Sequence, residues 1–224
     1  MEIPDENKLR VIVADDHSIF RLGLVNILKA IPFVKEIKEA ENGAEVLKML
    51  KYKACDVVFL DIEMPIMNGI ETLKELRTRS VFNKIKVIAL SMHSSEEHIM
   101  DMYAKDVNAY LLKNTTYFEV KRTLELVTQN QQYFCPEVTS VIAKNLIKKD
   151  KDNSLQSSNT DLSESEKKIL MLICEQFSNG EIAERLDISE YTVKRHRQNL
   201  MLKVGVKNTV GLVLYAMRKG FINI

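Results

Sequence analysis

Several things are scarce in this 224-residue chain, and each scarcity removes a class of protein. Its 7 glycines and 4 prolines are too few for a collagen-like or wholly disordered chain. The 3 cysteines, Cys55, Cys135 and Cys174, are odd in number and never stand in CxxC spacing. They read as buried, reduced thiols of a cytosolic protein rather than as a metal site. No apolar run approaches the ~18 residues that a spanning helix needs. The start, MEIPDENKLR, is polar and acidic, unlike a signal peptide. The expectation is therefore a cytoplasmic protein with no membrane segment. No internal repeat is visible.

Net charge is nearly absent too, at +1, so the total says little about partners. Its distribution says more. Residues 1–130 hold 18 basic and 20 acidic side chains, for −2, and residues 161–224 hold 10 and 8, for +2. Within the latter, residues 190–204 hold four basic residues and one acidic, for +3. That local concentration is the electrostatic signal worth following.

What is present is 46% hydrophobic and 28% charged residues, a globular composition in a length that suits one large domain or two ordinary ones. Short apolar runs occur at 10–14, 36–40, 56–60, 86–90 and 109–112. Amphipathic stretches lie between and after them, near 18–30, 43–51, 70–78, 95–104 and 116–129. Five strands alternating with five helices predict an α/β fold, a doubly wound five-stranded parallel sheet covered on both faces. Residues 130–135 break the period, and Pro136 is placed to open a short helix through Lys148. The polar stretch KKDKDNSLQSSNTD, 148–161, reads as a flexible linker.

After the linker the pattern is helical. Ser163 and Glu166 form a capping box ahead of Ile169, Leu170, Leu172, Ile173 and Phe177. Gly180 reads as a stop, followed by a short helix at 181–186. Ser189 caps a third helix that runs to about Lys203, with Gly205 beyond its end. A fourth covers 208–218 and ends at Gly220. The predicted domains are 8–130, a linker at 131–160, and a small all-α domain at 161–224.

The chemistry concentrates at strand ends. Asp15 and Asp16 end the first strand and Asp61 the third. In a doubly wound sheet such strands are neighbours, and ligands bind at the carboxyl edge where strand order reverses. Three carboxylates this close repel unless a cation lies between them. Hard oxygen donors at an accessible edge suit Mg2+. Ser91 follows the fourth strand and Lys113 the fifth. A hydroxyl and an ammonium beside a carboxylate–Mg2+ site make a set for handling phosphoryl groups, with Asp61 as the nucleophile of an aspartyl phosphate. Taken singly, an Asp after a strand is a cap or turn residue and Lys113 a solvated lysine. The five together, each on the matching strand end, point to one shared site.

ADDHSIFR, FLDIEMPIMNG, ALSMH and AYLLK resemble the receiver domain of two-component response regulators, over about residues 8–130. The resemblance implies a flavodoxin-like receiver with Asp61 as phosphoacceptor. It implies Asp16 and Asp61 as direct Mg2+ ligands, Asp15 as a ligand through water, and the Glu63 main-chain carbonyl as a further one. It also implies phosphoryl-sensing roles for Ser91 and Lys113, and places Tyr110 at the aromatic switch position. Asn114 departs from the family, which commonly has a proline there.

In the C-terminal part, a helical wheel at ~100° per residue sets Val193, Leu200 and Val204 on a buried face. Lys194, Arg195, Gln198 and Leu202 then point away. A short helix, a turn and a helix with a basic outward face form a helix-turn-helix arrangement. A basic face alone is often only a solvated surface. SNGEIAERLDIS and TVKRHRQNLMLKVGV, however, resemble the LuxR-type helix-turn-helix over residues 162–208, and the pairing with a receiver is that of the NarL/FixJ family. The resemblance makes 190–203 the recognition helix, with Lys194, Arg195 and Gln198 facing bases. It gives Thr192, Arg197 and Asn199 phosphate or scaffold contacts, and His196 a packed interior position.

The reading is a regulator of transcription switched by phosphorylation. Its implied partners are a sensor histidine kinase, double-stranded DNA and, once phosphorylated, a second copy of the chain. It is not an enzyme beyond promoting its own phosphorylation and dephosphorylation. Two rivals stand against it. One is a Mg2+-dependent phosphohydrolase using Asp61 covalently. Such enzymes commonly carry a second Asp two residues after the nucleophile, where this chain has Glu63. The other is an interaction module that no longer accepts phosphate, which the intact carboxylate cluster disfavours.

Overall fold

Val57, Val58, Phe59 and Leu60 are wholly buried in the middle of a sheet. Burying each is worth roughly 1.5–3 kcal/mol, which offsets about 1–2 kcal/mol of backbone entropy per residue. The computed structural model in which they lie describes residues 8–92, 95–152, 162–175, 177–206 and 208–222. Five strands fall on the predicted runs: β1 (Leu9–Ala14), β2 (Val34–Ala40), β3 (Val57–Asp61), β4 (Lys86–Ser91) and β5 (Ala109–Leu112). A sixth, β6 (Tyr133–Phe134), corrects the expected count of five. It pairs in parallel with β5 through Ala109–Tyr133 and Tyr110–Phe134. Two residues are too short to show an alternation, so only the pairing reveals it. The order is β2-β1-β3-β4-β5-β6, with every pair parallel.

Helices α1 (Ser18–Lys29), α2 (Gly43–Leu50), α3 (Gly69–Thr78), α4 (Glu96–Ala104) and α5 (Tyr117–Thr128) connect these strands. Asn42, Asn68 and Thr116 cap α2, α3 and α5, and Asn68 forms a capping box with Glu71. Helix α1 packs with α5, while α2, α3 and α4 pack in series. Both faces of the sheet are thus covered, as two-sided burial of a parallel sheet requires.

One compact unit ends at Phe134 and a second begins at Cys135. The second is all helical: α6 (Pro136–Asp152), α7 (Glu164–Cys174), α8 (Asn179–Leu186), α9 (Glu190–Val204) and α10 (Thr209–Arg218). The division differs from the expected partition, since β6 joins the sheet and α6 packs on α10. The backbone stays helical to Asp152, so the first residues of the expected linker are helix. The stretch 153–161 lies outside the described residues.

The capping box of Ser163 and Glu166 is as predicted. Gly180 is not a stop. It lies in the first turn of α8, which Ser178 caps reciprocally with Glu181. A Cβ at Gly180 would come 2.9 Å from Oε1 of Glu190, the movable end of a side chain. Ile169, Leu170, Ile173, Ile182, Val193 and Leu200 form the buried centre of this unit. None of the three cysteines forms a disulfide, and burial pushes the thiols of Cys55 and Cys174 up to about 12. Among the described residues, no single helix is long and apolar enough to cross a membrane.

Candidate functional site

Strand order reverses at β1, which lies between β2 and β3. Connections leave the sheet in opposite directions there and open a crevice at the carboxyl edge. Asp61 is the last residue of β3, and Asp15 follows β1 directly. The backbone N–H of Lys113 donates to the Ser91 carbonyl (2.8 Å), which brings the end of β5 beside the end of β4.

From there Lys113 reaches back into the crevice. Its Nζ lies 2.7 Å from Asp15 Oδ2 and 2.8 Å from Asp61 Oδ2, with all three side chains nearly inaccessible. The ring of Phe20 lies under the ammonium at 5.0 Å. One ammonium shared by two buried carboxylates leaves excess negative charge. The Asp61 carboxyl is pushed up to about 6: burial raises it most, the Lys113 hydrogen bond pulls it down, and Asp15 adds to the rise. Burial alone would lower Lys113, yet its bonds to both carboxylates hold it above the ordinary lysine value. Both move up, which disfavours the Asp61 charge and favours that of Lys113, because Asp61 shares its cation while Lys113 has two anions.

Asp15, Asp16, His17 and Asp61 each offer a donor atom, and these atoms all lie within 4.8 Å of one another. The carboxylates are hard, close and under-neutralised, so the donor set fits Mg2+. His17 was missed by the sequence reasoning, although DDH placed it next to two assigned ligands. Its Nδ1 is 2.9 Å from Asp16 Oδ1, and its N–H donates to Asp15 Oδ1 at 2.8 Å.

The remaining predicted residues are not gathered so tightly. Ser91 is buried at the end of β4, and Tyr110 is wholly buried in β5 opposite Ala89. Glu63 stands two residues past Asp61 with an exposed side chain, whose Oε1 is 3.7 Å from His98 Nδ1. The peptide between Lys113 and Asn114 is trans, like every described peptide bond.

The loop after Asp61 passes close to it. A Cβ on Gly69 would run into the Asp61 carbonyl oxygen, and the Gly69 N–H donates to the Ile62 carbonyl at 2.9 Å. Between them, Met67 N–H donates to the Pro65 carbonyl (2.7 Å) across Ile66 at φ 68°. That is the positive-φ γ-turn, a rare and strained form, here centred on a β-branched side chain.

In the second unit, Ser189 caps α9 by accepting from Thr192 N–H, and its hydroxyl also bonds the Thr192 hydroxyl. Thr192 is thereby part of the helix start. Lys194, Arg195, Gln198 and Asn199 are exposed, opposite buried Val193, Leu200 and Val204, as the helical wheel requires. His196 is half-buried. Arg197 donates to Thr209 Oγ1 (3.0 Å), a scaffold contact to α10. Lys203 bonds Glu166 Oε2 at 2.7 Å, so part of the local +3 is neutralised internally.

Residues 11–125 match the family described as response regulator receiver domain, and residues 160–216 match bacterial regulatory proteins, luxR family. The transcriptional regulatory protein DegU of Brevibacillus brevis is 28% identical over 98% of this chain and 98% of its own length. The nitrate/nitrite response regulator protein NarL of Escherichia coli K12 is 30% identical, covering 89% of this chain and 91% of its own. RcsB of Salmonella enterica serovar Typhimurium, solved on promoter DNA in the presence of a phosphomimetic, shares the fold. Its TM-score is 0.58 at 24% identity, covering 93% of this chain and 98% of that one. An acidic pocket closed by a lysine at the edge of one unit, an exposed basic helix in the other, and these two matched regions together place the chain among the NarL/FixJ-type response regulators, transcription regulators that join a receiver to a LuxR-type DNA-binding domain.

Proposed function

We propose that Asp61 is the phosphoacceptor of this regulator and that its modification controls DNA binding through α9. The observation that carries the reading is the Asp15–Lys113–Asp61 constellation, a buried carboxyl under-neutralised by a shared ammonium at the topological switch point. The ionised Asp61 oxygen attacks phosphorus, a P–O bond forms, and the bond to the donor breaks. For a sensor histidine kinase that bond is the P–N bond of a phosphohistidine, and the imidazole leaves. Asp15, Asp16 and Asp61, with the Glu63 carbonyl, would hold Mg2+, whose charge neutralises phosphoryl oxygens.

The residues of the chain do the rest. Lys113 is already 2.8 Å from the acceptor oxygen and exchanges that contact for a phosphoryl oxygen. The Ser91 hydroxyl donates to another. The modification adds about −1.5 to −2 charge at the sheet edge. Drawing Ser91 and Lys113 inward frees space that Tyr110 occupies, which repacks the surface around α4 and β5. We take that surface as the route to a two-fold homodimer. The dimer presents two copies of α9, with Lys194, Arg195 and Gln198 facing bases in the major groove of double-stranded DNA and Asn199 beside them. Arg197 and Thr192 support the helix. The protein acts in the cytoplasm and turns over nothing but its own phosphoryl group.

The test is labelling of the full chain with Mg2+ and a small phosphodonor, read by intact mass. One acid-stable, hydroxylamine-sensitive label is expected on the native chain, and none on Asp61→Ala. A label of equal extent on Asp61→Ala overturns the assignment.

A further inference from the structure

Arg21, in the first half of α1, is an arginine that the fold has buried, with its side chain only 10% exposed. A guanidinium out of water must have its donors satisfied. Here Nε donates to Glu39 Oε2 at 3.1 Å, Nη2 to Glu41 Oε1 at 3.1 Å, and Nη1 to the main-chain carbonyl of Asp15. These bonds end on three different segments: β2, the turn after it, and the loop between β1 and α1. The planar fork of an arginine suits this, whereas an ammonium on a flexible stem does not.

The bond to Asp15 is the informative one. The carbonyl it fixes belongs to the peptide that leads into Asp16, so it sets the direction in which the Asp16 side chain leaves the backbone. Asp15 itself is held independently, by its N–H on the Ala40 carbonyl (3.1 Å) and its Oδ1 on the His17 N–H (2.8 Å). Asp16 is the more exposed carboxylate, at 35%, and its Oδ1 lies 2.9 Å from Nδ1 of the exposed His17 imidazole. The same guanidinium holds Glu39 and Glu41.

We infer that Arg21 is a positioning residue of the metal pocket, orienting the Asp15–Asp16 peptide so that Asp16 meets the ion, an inference that rests on the Mg2+-dependent phosphoacceptor reading above. A merely structural arginine is available for contrast. Arg77 bonds the Asp106 and Ile85 carbonyls and Asn108 Oδ1, where residues 85 and 108 directly precede β4 and β5, at the opposite edge of the sheet.

Mg2+ binding to the full chain, titrated calorimetrically, separates the two roles. Arg21→Lys keeps the charge and loses the fork. It should weaken Mg2+ binding by about 10–100-fold, the usual effect of losing a group that orients a metal ligand. At saturating Mg2+ its labelling at Asp61 should reach the native plateau. Arg77→Lys should bind Mg2+ like the native chain even where it lowers the melting temperature as much. Native-like Mg2+ binding by Arg21→Lys, or equal weakening by Arg77→Lys, overturns the inference. Should Arg21→Lys fail to fold, Glu41→Ala carries the test from an exposed position: weaker Mg2+ binding supports it and unchanged binding overturns it. A native chain that neither binds Mg2+ nor labels overturns the phosphoacceptor reading itself, whatever the variants do.

Discussion

Asp61→Asn should stabilise the metal-free protein at neutral pH. The Asp61 side chain is 3% exposed, and burial is the main cause that pushes its carboxyl from the ordinary 3.8 up to about 6. A raised carboxyl favours the folded state while both states are protonated. That contribution is intact below pH 3.8 and is lost as pH rises toward 6, because the unfolded chain ionises first. That rise corresponds to roughly 3 kcal/mol. The asparagine amide removes the buried charge and can still accept from Lys113, which also keeps its 2.7 Å pair with Asp15. A gain of about 1–3 kcal/mol above pH 7 is therefore expected, shrinking to near zero by about pH 4. Urea unfolding of both chains with chelator, from pH 4 to 7.5, measures it. Saturating Mg2+ should reverse the order, since only the native chain keeps its full ligand set. A gain that is constant across that pH range, or a loss at pH 7.5, would refute the argument that an under-neutralised buried carboxylate sits here.

Other residues give further expectations. Gly69→Ala should cost several kcal/mol and abolish labelling, because its Cβ meets the backbone of Asp61 and Ile62 rather than a movable side chain; unfolding and intact mass would check both. Ile66→Gly should raise receiver stability by up to about 1 kcal/mol, relieving a β-branched residue at φ 68° whose exposed side chain contributes little packing; a lower urea midpoint would contradict it. Gln198→Ala should relax preference at one base position per half-site, at about 1–3 kcal/mol, with an unchanged salt slope. Arg197→Ala should lower the stability of the C-terminal unit by about 1 kcal/mol through the lost Thr209 bond; titrations at several salt concentrations and thermal melts separate the two.

Much of this is legible in the sequence. The five main strands announce themselves because both faces of a parallel sheet are buried, which leaves continuous apolar runs. Asp15, Asp16, Asp61 and Lys113 are legible as a group because strand ends on one edge must converge. Harder to see was whatever depends on partners distant in sequence. The strand character of β6 exists only through its pairing with β5. The end of α6 was masked by charged residues that carry no apolar period yet continue the helix to Asp152. Gly180 signals a stop by type, but it lies inside the first turn of α8, which Ser178 and Glu181 cap. Arg21 meets Glu39 across 18 positions and Lys203 meets Glu166 across 37, distances at which local patterning is silent. The basic face of α9 was visible in outline, while its internal pairing was not.

The central claim, that chemistry at Asp61 governs the DNA-binding unit, is tested most directly by one titration. Full-length protein, with Mg2+ and with or without a small phosphodonor, is titrated onto a duplex selected from its genomic binding sites. An affinity change of roughly 5–150-fold on phosphorylation is expected, the usual span of coupling between sites, with no change for Asp61→Ala. Equal affinity of the labelled and unlabelled native protein would contradict it.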